Sequence, residues 1–238
     1  MSDYKNYWDK NIDKWADLYL QISHGHEELD APSWLGKIYN ATIAKHEAAL
    51  MRERYAITIS FIDAYATAGK RFADIGCGTG IFVVEALKRG AKALAIDFSD
   101  RSLEVTKENV GKNAPGSDVS YFQLDVENQP LPKSDLAIMV GVTPYLANLD
   151  RFLENVLGST DLLLIQYNDP SHWANIIRTV FPFLNVRRLV FHSKSSVDAN
   201  YKRHGRSLLN RRNFATGFVD VVASPSFVAD GYKQKVGP

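Results

Sequence analysis

Between residues 71 and 167, short apolar runs alternate with segments of helical length. The runs "RFADI", "ALAID", "VSYFQLD", "DLAIMVGV" and "DLLLIQY" have the length of strands. Between them, "GIFVVEALKRG", "SDRSLEVTKENVGK" and "NLDRFLENVLG" carry apolar residues at helical spacing. Val83, Val84 and Leu87 make an apolar face on the first of these helices, and Gly90 marks its end. Strands alternating with such helices predict βαβ units and a doubly wound α/β fold, its mostly parallel sheet covered on both faces.

The flanks have other periods. Near the N-terminus Tyr4, Tyr7, Trp8, Ile12, Trp15, Leu18 and Tyr19 recur at helical spacing, and a second helical stretch runs from about 35 to 66. Past residue 167, "SHWANIIRTVF" reads as helix, "FPFLNVRRLVFHSKS" as an aromatic, basic insertion and "RSLLNRRNF" as a further helix. "GFVDVVA", the turn "SPS" and "FVADGYKQKV" then read as a terminal hairpin. The pattern predicts one domain over 1–238. An N-terminal helical cap (1–68) precedes a core (69–167), and a lid-like insertion with a C-terminal β-hairpin (168–238) follows.

Composition narrows the class. With 45% hydrophobic and 23% charged residues in 238, the chain is globular and can bury one sizeable core. A single cysteine, Cys77, excludes an internal disulfide and argues against a cysteine-based metal site; "HGHEE" is too weak to argue for another metal. The charged N-terminus does not resemble a secretory signal. The longest uncharged stretch, 136–149, is too short to span a bilayer, so a cytoplasmic protein is expected. Charge is unevenly spread: net −7 over 1–170 and net +8 from 171 onward. The basic third reads as a solvated face or as a wall that draws in an anionic substrate.

Chemistry concentrates after the first strand, in "ADIGCGTG". A phosphate-binding P-loop is excluded, because no Gly-Lys-Ser/Thr occurs and no lysine follows Gly80 until Lys88. A dinucleotide fingerprint needs a third small residue where this chain has Ile81 or Val83. The spacing Gly76, Gly78, Gly80, preceded by Asp74, brings backbone close to a ligand without that arrangement. Asp97 ends the second strand, where a carboxylate can accept from both hydroxyls of a ribose, whether of NAD or of another adenosine. Asp125 follows the third strand, placed to accept from an adenine amino group with Val126 beside the ring.

Together, "ADIGCGTG", "AIDFS", "LDVENQPLP" and "DLAIMVGVTPYL" resemble the class I S-adenosylmethionine-dependent methyltransferases, of the small-molecule branch, over residues 71–167. The resemblance implies a seven-stranded sheet whose last strand is antiparallel, and S-adenosyl-L-methionine as cofactor. It implies that Gly76, Cys77, Gly78 and Gly80 approach the methionine part, with Asp74 at the base. Asp97 would hold the ribose, Phe98 and Val126 would sandwich the adenine, Asp125 would receive its amino group, and Gly141 would face the sulfonium. Trp15, Tyr19 and Arg54 of the cap would close over the cofactor, Arg54 as a partner for its carboxylate.

The expected reaction is methyl transfer to a small-molecule acceptor at oxygen, a natural product, sugar or glycan precursor, by in-line displacement. Tyr145 is placed for contact with the cationic cofactor, and His172 and His192 are the candidate general bases. An Asn-Pro-Pro-aromatic motif is absent after the fourth strand, and the basic third lacks the dense clustering of a nucleic-acid binder. The expected partner is therefore the acceptor, with neither nucleic acid nor membrane span; a homo-oligomer stays open. The alternatives are an NAD(P)-linked oxidoreductase and a catalytically silent cofactor-binding module.

Overall fold

The structure is a computed structural model and describes Ile12, residues 45–181 and residues 189–229. The expected N-terminal helical stretch apart from Ile12, with Trp15 and Tyr19, therefore lies outside the described residues, as does "GYKQKV". A helix α1 (Lys45–Tyr65) leads into β1 (Arg71–Ile75), α2 (Ile81–Lys88), β2 (Lys92–Asp97), α3 (Asp100–Asn113) and β3 (Val119–Gln123). Then come β4 (Ser134–Met139), a single 3-10 turn (Thr143–Tyr145), α4 (Leu149–Ser159), β5 (Thr160–Asn168) and α5 (Trp173–Val180). The chain closes with α6 (Lys194–Arg203), β6 (Ser207–Phe214), β7 (Gly217–Ala223) and α7 (Pro225–Ala229).

The seven strands form one sheet in the order β3-β2-β1-β4-β5-β7-β6. Strands β1 to β5 are parallel, and β7 inserts antiparallel between β5 and β6. The order reverses at β1 and β4, which opens a crevice at the carboxyl ends of the strands, where open sheets bind ligands.

Alternation along the central strands sends side chains to two covered faces. Ala73, Ile75, Ala137, Met139, Leu163 and Ile165 pack on one face against Phe152, Leu153, Val156 and Leu157 of α4. Phe72, Leu136, Ile138, Leu162 and Leu164 pack on the other against Phe61 and Ile62 of α1 and Phe82 and Ala86 of α2. Helix α4 starts at an Asn148 cap that accepts from Arg151 N at 3.0 Å, and α3 at Ser99, which accepts from Ser102 N at 3.1 Å.

The C-terminal third departs from the sequence reading in three places. "RSLLNRRNF" is not a helix but contributes the edge strand β6. There Arg211 faces Asp220 across the ladder and grips it through Nε at 2.7 Å and Nη2 at 2.8 Å. That cross-strand pair, with Asp220 fully buried, holds the segment as strand. The hairpin is accordingly β6–β7, one strand earlier than expected. "SPS" is not its turn but a helix start: Ser224 Oγ accepts from Phe227 N at 3.2 Å, and Pro225 opens α7. Finally, α6 starts at the end of the segment read as an aromatic, basic insertion, where no helix was expected, capped by Ser193, whose Oγ accepts from Ser196 N at 3.2 Å. Tyr201 of α6 anchors it: its hydroxyl lies 3.0 Å from both Tyr167 Oη and Asp220 Oδ2.

Candidate functional site

The turn from β1 into α2 is pinned from two sides. Gly76 N and Cys77 N donate to Ile96 O of β2 at 2.7 and 3.1 Å. From α3, Thr106 Oγ1 donates to Gly78 O at 3.0 Å and Asn109 Nδ2 to Thr79 O at 2.9 Å. The glycines have specific reasons. Gly76 has φ +78°, and a Cβ there would collide with Val142. Gly80 has φ +72°, and a Cβ would stand 2.6 Å from Thr106 Cγ2. Gly80 thus serves as the start of α2 rather than as cleft wall.

Above this turn lies a cleft of about 280 Å³ at the switch point of the sheet. Most residues singled out from the sequence meet there: Asp74, Gly76, Cys77, Gly78, Asp97, Phe98, Asp125, Val126, Gly141, Tyr145 and Arg54 all line it. Asp97 is buried and accepts from Gly78 N at 3.0 Å through Oδ2 and from Ser99 N at 2.9 Å through Oδ1. Those two bonds fix its carboxylate at the tip of β2. Asp125 holds its own loop, accepting from Glu127 N at 3.0 Å and Asn128 Nδ2 at 2.6 Å. Gly141, at φ +79°, leaves room for Arg54, whose Nη1 would be 3.4 Å from a Cβ. Arg54 also lies over the Phe214 ring at 5.9 Å.

Three buried polar atoms in this wall have no hydrogen-bond partner among the described residues: Asp74 Oδ2, Arg54 Nε and Gln166 Oε1. Asp74 is 3% exposed, and burial, reinforced by the negative charge of Asp97, pushes its carboxyl up to about 8. Burial also pushes the Cys77 thiol up, with Asp97 and Asp74 adding to the effect, so Cys77 stays neutral and is no nucleophile.

The two candidate bases do not reach the cleft. His172 caps α5, its Nδ1 accepting from Ala174 N at 3.3 Å. His192 is buried behind the 3-10 turn, with Nε2 3.4 Å from Thr143 O and its ring edge-on to Phe152 and Tyr167; burial lowers its pKa. Nor is there a basic wall: among the described residues no lysine or arginine past 170 lines the cleft. Lys194, Arg203, Arg211 and Arg212 instead pair with Asp169, Asp150, Asp198 with Asp220, and Glu53.

Sequence reasoning missed Gln166, Asn168, Leu189 and Ile12, all of which line the cleft. Gln166 carried a signal, a lone amide inside the apolar run "DLLLIQY"; Leu189 and Ile12 carried none. Leu189 belongs to a chain segment that returns to the cleft edge, where Val190 N donates to Pro144 O and His192 N to Asn168 O, each at 2.8 Å.

Comparison with known proteins agrees with this geometry. Residues 73–160 match a family model described as a methyltransferase domain. A ribosomal protein L11 methyltransferase of Thermotoga neapolitana is 44% identical over 102 residues, which are 42% of this chain and 36% of that protein. The chain thus spans about a third of the length of that curated relative. Among solved structures, the magnesium protoporphyrin IX methyltransferase of Synechocystis PCC 6803 with bound S-adenosylmethionine superposes with a TM-score of 0.69. That match covers 94% of this chain and 96% of the other at 13% identity. An O-methyltransferase family protein from Burkholderia thailandensis gives 0.55 at 12% identity, covering 87% and 68%. At such identities the likeness concerns the fold. Residues 73–160 thus match a methyltransferase domain, and the chain shares the seven-stranded Rossmann-like fold of class I S-adenosylmethionine-dependent methyltransferases.

Proposed function

We propose that this protein transfers the methyl group of S-adenosylmethionine to a small-molecule acceptor, at oxygen. The observation that carries the cofactor reading is the charge layout of the cleft. An Asp74 oxygen and an Arg54 nitrogen, both without a partner among the described residues, are buried in one wall, with Asp97 on the next strand. These suit the ammonium, the carboxylate and the ribose diol of one amino-acid nucleoside. Phe98, Asp125 and Val126 complete the adenine end. Bound there, the cofactor supplies a methyl group activated on a sulfonium. The chain's part is then alignment: the pinned glycine turn fixes one end of the cofactor, and Tyr145 offers an aromatic ring beside the cationic centre. With both histidines outside the cleft, no side chain from that pair takes a proton.

Oxygen is favoured over a charged amine on electrostatic grounds. Of the carboxylates among the described lining residues, Asp74 and Asp97 lie at the ends of β1 and β2 and Asp125 just past β3. None follows β4 or β5, where an ammonium acceptor would need one. A protein acceptor is the second reading, favoured by the ribosomal protein L11 methyltransferase relatives. Calorimetric titration tests the cofactor reading: S-adenosylhomocysteine is expected to bind and NAD to leave the heat signal flat. Binding of NAD without S-adenosylhomocysteine would overturn it in favour of an oxidoreductase. Incubation with labelled cofactor and either ribosomal protein L11 or a panel of small hydroxylated acceptors separates the two acceptor readings.

A further inference from the structure

Gln166 is 4% exposed, lines the cleft, and carries a fully buried Oε1 with no partner among the described residues. Its backbone is held on both sides, paired with Val219 of β7 and accepting Thr143 Oγ1 at 2.5 Å. A buried amide oxygen on so fixed a strand, with no donor among the described residues, would be stabilised by a donor brought into the cleft.

Position says which ligand brings that donor. The three acids sit at the ends of β1 and β2 and just past β3, whereas Gln166 lies on β5, beyond β4. Two strand spacings, about 10 Å, separate β5 from β1. The walls on this side are mostly apolar: Val140, Val142, Pro144, Leu146 and Leu189 line the cleft together with Tyr145, the amide of Asn168 at the end of β5 being another polar group there. Two residues before Gln166, Leu164 packs in the cluster that α1 covers, so by strand period Gln166 faces that same side.

We infer that Gln166 is the acceptor-recognition residue, and that the acceptor is a small molecule with an apolar body presenting a neutral O–H or N–H to Gln166 Oε1. This rests on the methyltransferase reading above and names the substrate class for it. Being an amide, Gln166 takes no proton; it orients the acceptor and selects against molecules lacking the donor, which would leave its oxygen unpaired.

The test uses the full chain saturated with S-adenosylhomocysteine and two probes of matched shape, 2-naphthol and 2-methylnaphthalene, followed by ligand-observed NMR titration. Wild type is expected to bind 2-naphthol about tenfold more tightly. In Gln166→Leu, and in the unbranched Gln166→Met should the first fail to fold, the preference is expected to shrink to within about twofold while S-adenosylhomocysteine affinity stays unchanged. The proposal is overturned if wild type does not discriminate between the probes or binds neither, or if the preference survives both substitutions. A fall in S-adenosylhomocysteine affinity in the variants would assign Gln166 to the cofactor instead. If wild type fails to bind S-adenosylhomocysteine at all, the parent reading falls first.

Discussion

Cofactor affinity should depend on pH through Asp74, and its size follows from the site. One carboxyl oxygen has no partner among the described residues, and burial, reinforced by the neighbouring Asp97 charge, pushes the pKa up to about 8. An ammonium set against that oxygen requires the ionised form. With a pKa of about 8, roughly one molecule in a hundred is ionised at pH 6 and about one in two at pH 8. Affinity for S-adenosylhomocysteine should therefore rise about fiftyfold between those values, roughly 2.3 kcal/mol, with close to one proton released per ligand bound near pH 7. Calorimetry in buffers of different ionisation enthalpy reads both quantities. Asp74→Asn removes the titration, so its weaker binding should be flat with pH. A wild-type affinity constant to within about twofold across the range, or the same slope in Asp74→Asn, would refute the reasoning. The raised pKa also means that between about pH 4 and about pH 8 the folded protein holds a proton the unfolded chain has lost. Stability of the ligand-free protein from this group should accordingly fall as pH rises through that window.

Other substitutions probe the remaining parts. Asp97→Ala should weaken S-adenosylhomocysteine binding by about 1.5–3 kcal/mol, the range for a charge-assisted hydrogen bond, and unchanged affinity would remove Asp97 from the ribose. Gly76→Ala drives a Cβ into Val142 at positive φ, so cofactor binding should be lost while the far-ultraviolet circular dichroism stays close to wild type. His192→Ala empties a buried site behind the 3-10 turn and should cost about 2 kcal/mol or more of stability, read by denaturant titration. His172→Ala should leave turnover with any accepted substrate unchanged, and a lost acidic limb in its rate–pH profile, with reduced turnover, would restore it as a base.

Half of the site was legible in the chain because it is written locally. Each acid sits at or just past the tip of the strand that positions it, and the glycines fall within one turn, so spacing alone places Asp74, Gly76, Gly78, Asp97 and Asp125 along one wall. The other half is assembled from segments far apart. Arg54 comes from α1 and was named only through the family resemblance, Gln166 comes from β5, and Leu189 from chain that returns to the 3-10 turn. No local period announces such a meeting. The C-terminal hairpin was misplaced for the same reason: Arg211 becomes a strand residue through Asp220, nine positions later in a different strand. A local reading of Ser224 and Pro225 could have gone either way, since both residues serve turns as well as helix starts.

The most direct measurement is a crystal structure of the full chain with S-adenosylhomocysteine. The account requires the ribose hydroxyls on Asp97, the adenine beside Asp125 and Val126, and the amino-acid end between Asp74 and Arg54, with the sulfur turned toward Gly141 and the open side of Gln166. Electron density in the reverse orientation, or a ligand seated away from the Gly76–Gly80 turn, would contradict it.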